Sequence, residues 1–294
     1  MKLAAAVAIL ISFSFGAWAQ ALPNRDGSFR FAVIGDSGTG GKRQHQIGAL
    51  LGQYHKTLGF MTVLMLGDNI YGRHKPKDFQ KKFELPYKAL LDSGVKFRAA
   101  LGNHDSPTQI SYKPFNMDGL RYYTFKPGEG IRFFALDSTA VDKRQLEWIE
   151  RELSGSAGDW KIVYFHHPIY SSGARHGSDL ALRAVLEPLF VKYGVSVVLS
   201  GHDHFYERIE PQRGIHYFVI GGSAKLRKKN IRKTGLTAKA FDRDNSFAVM
   251  EIDRDVLHFQ AINRTGETVD IGSFIRNSAS VDGLRKGRES APLK

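Results

Sequence analysis

With 294 residues, 42% hydrophobic and 24% charged, the chain can bury a full core and reads as one large globular domain or two small ones. It contains no cysteine, which excludes disulfides, thiolate metal sites and iron–sulfur clusters; any metal must be held by oxygen and imidazole, a donor set that suits Fe(III), Mn and Zn. The formal net charge is +13, and Lys225, Arg227, Lys228, Lys229, Arg232, Lys233 and Lys239 place seven positive charges in one acid-free stretch, 225–239, open to polyanion contact or simply a solvated face.

In chain order, Lys2, the apolar run Leu3–Phe15 and Ala17-Trp18-Ala19 before Gln20 have the pattern of a signal peptide, 1–19, cleaved after Ala19. The run falls short of the ~20 residues a bilayer requires and no second one follows, so the mature chain is expected to lack a transmembrane segment and to be periplasmic or secreted. One continuous domain is expected over 28–276, followed by a polar, basic tail, 277–294, expected to be disordered.

Apolar runs at 31–34 and 61–66 flank Ile47, Leu50, Leu51, Tyr54 and Leu58, spaced as one face of a helix. Asp142 and Gln145 resemble a capping box that opens a helix burying Leu146, Ile149 and Leu153. Leu182, Val185, Leu186 and Leu189 predict another helix, kinked or ended by Pro188. Strand–helix alternation of this kind implies a largely parallel sheet with helices outside. From about 215 the texture is strands alone (HYFVIGG, SFAVMEID, VLHFQAI, TVDIGSF), which predicts a second sheet packed on the first. Trp148 and Trp160 are expected in the core.

Five apolar runs end in loops bearing metal-type ligands: FRFAVIGDSG (29–38), MTVLMLGDNIY (61–71), KFRAALGNHD (96–105), KIVYFHHP (161–168) and VSVVLSGHDH (195–204). Beyond the carboxyl ends of strands such loops can converge at one pole. Taken singly, Gly-Asp and Gly-Asn are common turn formers and a lone His is more often structural. Five together make coincidence a poor account, and no Ser nucleophile with matching surroundings competes. Spacing alone leaves His166 and His167 equivalent.

Asp36, Gly67-Asp68, Gly102-Asn103-His104, His166 and Gly201-His202-x-His204, in this order, resemble the calcineurin-like metallophosphoesterase superfamily. Two details resemble its purple acid phosphatase branch, in its small single-domain form: Gly38 stands where most of the superfamily has a ligand His, and Tyr71 follows Asp68 by three residues. The resemblance implies a four-layer αββα sandwich of two mixed β-sheets flanked by helices. It implies one metal on Asp36, Asp68, Tyr71 and His204, a second on Asp68, Asn103, His166 and His202, and Asp68 as the bridge. The family's H-x-P pattern selects His166. His104 and His176 match substrate-side histidines, with Asp105 a candidate to orient His104. Phenolate oxygen at Tyr71 favours Fe(III) in that site, with Fe(II), Zn or Mn in the second. The implied activity is hydrolysis of a small phosphate monoester by a metal-bound hydroxide, with His104, aided by His176, protonating the leaving group. Two rivals remain at this point: a phosphodiesterase or phospholipase-C-type activity, and a non-catalytic anion-binding protein that uses the basic loop.

Overall fold

The computed structural model describes residues 22–276. The expected signal peptide, 1–19, and the expected disordered tail, 277–294, lie outside the described residues. Thirteen strands and five α-helices follow one another as β1 (Phe29–Ile34), α1 (Lys42–Leu58), β2 (Thr62–Met65), α2 (Pro76–Phe79), α3 (Lys88–Asp92), β3 (Lys96–Ala99), β4 (Tyr123–Gly128), β5 (Ile131–Ala135), α4 (Lys143–Ser154), β6 (Trp160–Phe165), α5 (Leu180–Lys192), β7 (Val197–Ser200), β8 (Tyr206–Ile209), β9 (His216–Ile220), β10 (Thr237–Phe241), β11 (Ser246–Asp253), β12 (Val256–Asn263) and β13 (Thr268–Ile275). They form two mixed sheets, β13-β12-β11-β1-β2-β3 and β10-β8-β9-β7-β6-β5-β4, flanked by helices.

The continuous apolar runs are explained by burial on both faces, which removes the polar half of the usual strand alternation. In β6, Ile162 and Tyr164 enter the cluster between the sheets, whereas Val163 and Phe165 join Ile149 and Leu153 of α4 and Leu186 and Phe190 of α5 on the outer side. Phe133 and Phe134 of β5 divide in the same way. Phe31 of the first sheet meets Phe133 of the second edge-on at 5.2 Å between ring centroids, and Phe218 meets Phe259 at 5.1 Å, so aromatic contacts tie the layers together. Burial of a side chain of this size contributes about 1.5–3 kcal/mol.

The late strands do not form the second sheet by themselves. Antiparallel β11, β12 and β13 extend the first sheet beyond β1, while β9 joins the second sheet parallel to β7. Local pattern reports a strand but not its neighbour; register against a distant partner decides that.

Three smaller expectations also change. Helix α5 runs through Pro188 to Lys192, because Pro188 and Ala184 lie on the exposed side, where the carbonyl deprived of its donor faces water while Leu186 and Phe190 stay packed. Asp142 caps α4 by accepting from the Gln145 amide at 2.8 Å, but the Gln145 side chain bonds the backbone N–H and C=O of Asp137 instead of returning to the cap. Trp160 is buried, whereas Leu146 and Trp148 only half-bury at the rim of the outer cluster.

Candidate metal centre

The carboxyl ends of β1, β2, β3, β6 and β7 point to one pole, and backbone bonds lock their loops to one another. The Asp36 amide donates to Gly67 O at 3.1 Å, Gly38 to Asp68 O at 3.2 Å, and Tyr71 to Gly38 O at 2.9 Å. Asp36, Asp68 and His202 all adopt positive φ, at 53°, 53° and 67°. For side chains other than glycine this left-handed backbone costs on the order of 1–3 kcal/mol, and it turns three adjacent donors inward.

A Cβ at Gly38 would collide with the Asn69 carbonyl. The first loop therefore excludes any side chain at the position where most of the superfamily places a ligand His, and the Tyr71 hydroxyl arrives from the second loop instead. It lies 3.1 Å from Asp36 Oδ1 and 3.4 Å from His204 Nε2, and His204 Nε2 lies 3.3 Å from Asp36 Oδ1. Asp36, Asp68 and His204 present ligand atoms all within 4.8 Å of one another.

Beside this group, His166 Nε2 lies 3.0 Å from Asn103 Oδ1, 3.1 Å from His202 Nδ1 and 3.4 Å from Asp68 Oδ1. His166 and His167 differ in surroundings. His166 Nδ1 faces the Leu66 carbonyl at 2.9 Å, which fixes the proton there and leaves Nε2 as a lone pair directed at the other donors. His167 turns its Nδ1 to Ser138 Oγ at 2.9 Å, although its ring also falls within reach of a cation shared with His166 and His202.

The charge states suit a cation. Burial, reinforced by neighbouring imidazoles, lowers His202 to about 2, and burial with Arg227 lowers His204 to about 4, so both rings are neutral and ready to ligate. Burial pushes Asp36 well above the usual carboxylate range against the pull of His166, with Asp68 adding to the rise. Asp68 is held low despite its own burial, by His166 and by the His104 amide, which donates to Oδ1 at 3.0 Å. Burial, then Asp36 and Asp68, raise the Tyr71 phenol far above its ordinary value, so a phenolate forms here only against a strong cation. Asp68 Oδ2 is buried with no hydrogen-bond partner. An orphaned carboxylate oxygen among converging lone pairs costs several kcal/mol unless a cation satisfies it, so the donor set fits a pair of metal ions bridged by Asp68.

The His104 and His176 side chains are exposed at the rim; their rings lie 4.9 Å from that of Tyr71 and 4.1 Å from that of His202. Asp105 does not orient His104. Its carboxylate accepts from the backbone N–H groups of Asn69, Ile70 and Gly102 and from the side chains of Asn69 and Gln109, which clamps the second ligand loop to the third. Sequence reasoning also passed over Asp203, between His202 and His204. It is buried and accepts from Ser171 Oγ at 2.6 Å and the Gly177 amide at 3.1 Å, anchoring the loop that carries His176; its place inside the histidine motif was the available signal.

A four-layer αββα scaffold with two groups of oxygen and imidazole donors at one pole defines a metal-dependent hydrolase of phosphate esters. The chain belongs to the calcineurin-like phosphoesterase family, whose model matches residues 29–206. It is 29% identical over 258 residues to tartrate-resistant acid phosphatase type 5 of Sus scrofa, covering 73% of this chain and 75% of that one. It is 28% identical over 224 residues to Fe(3+)-Zn(2+) purple acid phosphatase 12 of Arabidopsis thaliana, covering 67% of this chain and 47% of that one. Among solved structures, the purple acid phosphatase PPD1 of yellow lupin (Lupinus luteus) superposes with a TM-score of 0.72 at 19% identity, over 93% of this chain and 58% of that one; at this identity the likeness concerns the fold.

Proposed function

We propose that this chain is an exported two-metal phosphomonoesterase of the purple acid phosphatase type. The orphaned Asp68 Oδ2 between two donor sets carries the reading. Asp36, Tyr71 and His204 would hold one ion, Asn103, His166 and His202 the other, and Asp68 both. The pair would lower the pKa of a coordinated water toward neutrality and offset charge on the phosphoryl oxygens. The chain's own residues do the rest. The Leu66 carbonyl fixes the His166 tautomer, the His104 amide orients Asp68, and the exposed His104 imidazole would give the leaving alkoxide its proton. His176, on the loop anchored by Asp203 and with its ring 4.1 Å from that of His202, would contact the phosphate. A buried phenol wedged against two carboxylates favours Fe(III) in the Tyr71 site, with Fe(II), Zn or Mn in the other. The Sus scrofa and Arabidopsis thaliana relatives named above support the acid phosphatase type, and the pattern over residues 1–19 supports export. The basic loop 225–239 adds attraction for anionic substrates.

The test is metal analysis with a visible spectrum. Wild type should hold two metal ions per chain, Asp68→Asn should lose most of both, and the iron-loaded protein should show a tyrosinate charge-transfer band that Tyr71→Phe removes. Full metal content in Asp68→Asn would overturn the bridge; a band that survives Tyr71→Phe would overturn the phenolate.

A further inference from the structure

The acid-free run 225–239 is not one patch. Lys239 lies on edge strand β10, Lys228 and Lys229 are exposed, and Arg232 caps the Ala174 carbonyl from outside. Lys225 and Arg227 are drawn inward instead. The Lys225 amide donates to Asp36 O at 3.1 Å and the Arg227 amide to His204 O at 2.9 Å, so both backbones are bonded to residues of the metal centre. Asn245 Nδ2 fixes the turn from the other side by donating to Lys225 O at 3.0 Å. Lys225 Nζ sits 4.5 Å above the Tyr71 ring centroid. The same loop is stitched to the His176 loop by the Gly173–Ile231 bridge, by Ala174 N to Asn230 O at 2.6 Å and by Arg232 N to Ser172 O at 2.8 Å, which sets the segment carrying Arg175 alongside the loop carrying Arg227.

These three cations lack a contacting counter-ion among the described residues. Among the described residues none of Lys225, Arg227 and Arg175 forms an ion pair. Arg227 Nη1 is buried with no hydrogen-bond partner, and its charge is disfavoured by burial and by Arg175. Of the nearby acids, Asp36 accepts from the His202 amide and Tyr71, and Asp203 accepts through Oδ2 from Ser171 and Gly177; Asp203 Oδ1 is buried without a partner, and both carboxylates offset part of the Arg227 charge without an ion-pair contact. A buried guanidinium N–H without an acceptor costs on the order of 1–3 kcal/mol or more, and a fold retains such a cost where a ligand removes it. Lys225, over the Tyr71 ring, and Arg227, bonded through its amide to His204, therefore flank the donor group of Asp36, Tyr71 and His204.

We propose that Lys225 and Arg227, faced by Arg175, form a subsite for a second phosphate of the substrate, so that this enzyme selects small bisphosphorylated compounds over simple monoesters. The inference rests on the phosphomonoesterase reading for turnover but not for binding, so binding is the readout. The probes are propylphosphonate and propane-1,3-bisphosphonate, neither hydrolysable, titrated calorimetrically into the metal-loaded protein. Wild type should bind the bisphosphonate at least about tenfold more tightly, the worth of one or two charge-assisted hydrogen bonds. Lys225→Gln/Arg227→Gln should abolish that preference, Arg175→Gln on the other loop should weaken it, and Lys228→Gln/Lys229→Gln should leave it intact. Equal wild-type affinity for the two probes, or a preference that survives Lys225→Gln/Arg227→Gln, overturns the subsite. A preference that falls equally in the Lys228/Lys229 variant assigns it to a diffuse field and overturns it as well. A protein that shows the preference yet turns over no phosphate ester removes the phosphatase reading and leaves the subsite standing.

Discussion

At the scale of single residues, His104 and Tyr71 stand side by side at the centre, their rings 4.9 Å apart. His104 contributes an amide that donates to Asp68 and a ring that is exposed at the surface. Only the ring is lost in His104→Ala, so Asp68 keeps its orientation and metal content should hold. General acid catalysis contributes on the order of 10²–10⁴-fold, and an alkyl leaving group depends on it more than a nitrophenolate does. We expect a loss of that size in kcat for alkyl phosphates and a much smaller loss for nitrophenyl phosphate. Equal losses for both would mean that the ring binds phosphate and transfers no proton. His104 was legible in its motif only as a candidate. The task of its neighbour Asp105 was not legible there, because five donors from three segments reach it only in the folded chain.

At the scale of elements, the ligand loops matter as backbone before they matter as side chains. The approach of the second loop to the first is set at Gly38, whose amide and carbonyl both bond that loop and whose missing Cβ leaves room for the Asn69 carbonyl. Gly38→Ala places a methyl against a backbone atom that cannot rotate away. Overpacking of this kind costs about 1–3 kcal/mol, and here it pushes Tyr71 and Asp68 away from Asp36. The metal-free variant should unfold several degrees below wild type, and the metal-loaded variant should lose its tyrosinate band before it loses its fold. An unchanged melting temperature together with an unchanged spectrum would show that the loops have slack the packing does not indicate. The absence of a ligand at position 38 is visible in the sequence; the steric reason for it is not.

For the whole molecule, burial sets a pH limit apart from the metal ligands. His216 stacks on Phe274 with ring centroids 3.5 Å apart, and burial together with Arg208 lowers it to about 4. Its folded value lies below the unfolded one of about 6.5, so the unfolded chain gains the proton first as pH falls. The stability it provides is therefore full above about pH 6.5 and declines toward pH 4. A comparison with His216→Gln isolates the histidine: metal-free wild type should exceed the variant in melting temperature at pH 7, and the gap should narrow steadily toward pH 4. A gap constant across that range would show that His216 does not titrate differently on unfolding.

From the order of residues alone came the strand ends and their candidate donors, which depend on neighbours a few positions away through turn chemistry, period and motif spacing. The class of fold, and the reading of Gly38 together with Tyr71, came from the resemblance of those motifs to a known family. Only the tertiary structure decided which sheet the late strands join, that His166 and not His167 faces Asn103 and Asp68, and that Lys225 and Arg227 leave the rest of their basic run to line the site. Those outcomes rest on contacts between segments tens to hundreds of residues apart, such as β1 with β11, His166 with Leu66 and Arg227 with His204. Such pairings are selected by register, burial and the satisfaction of buried polar groups across the whole fold, which no local stretch of sequence encodes on its own.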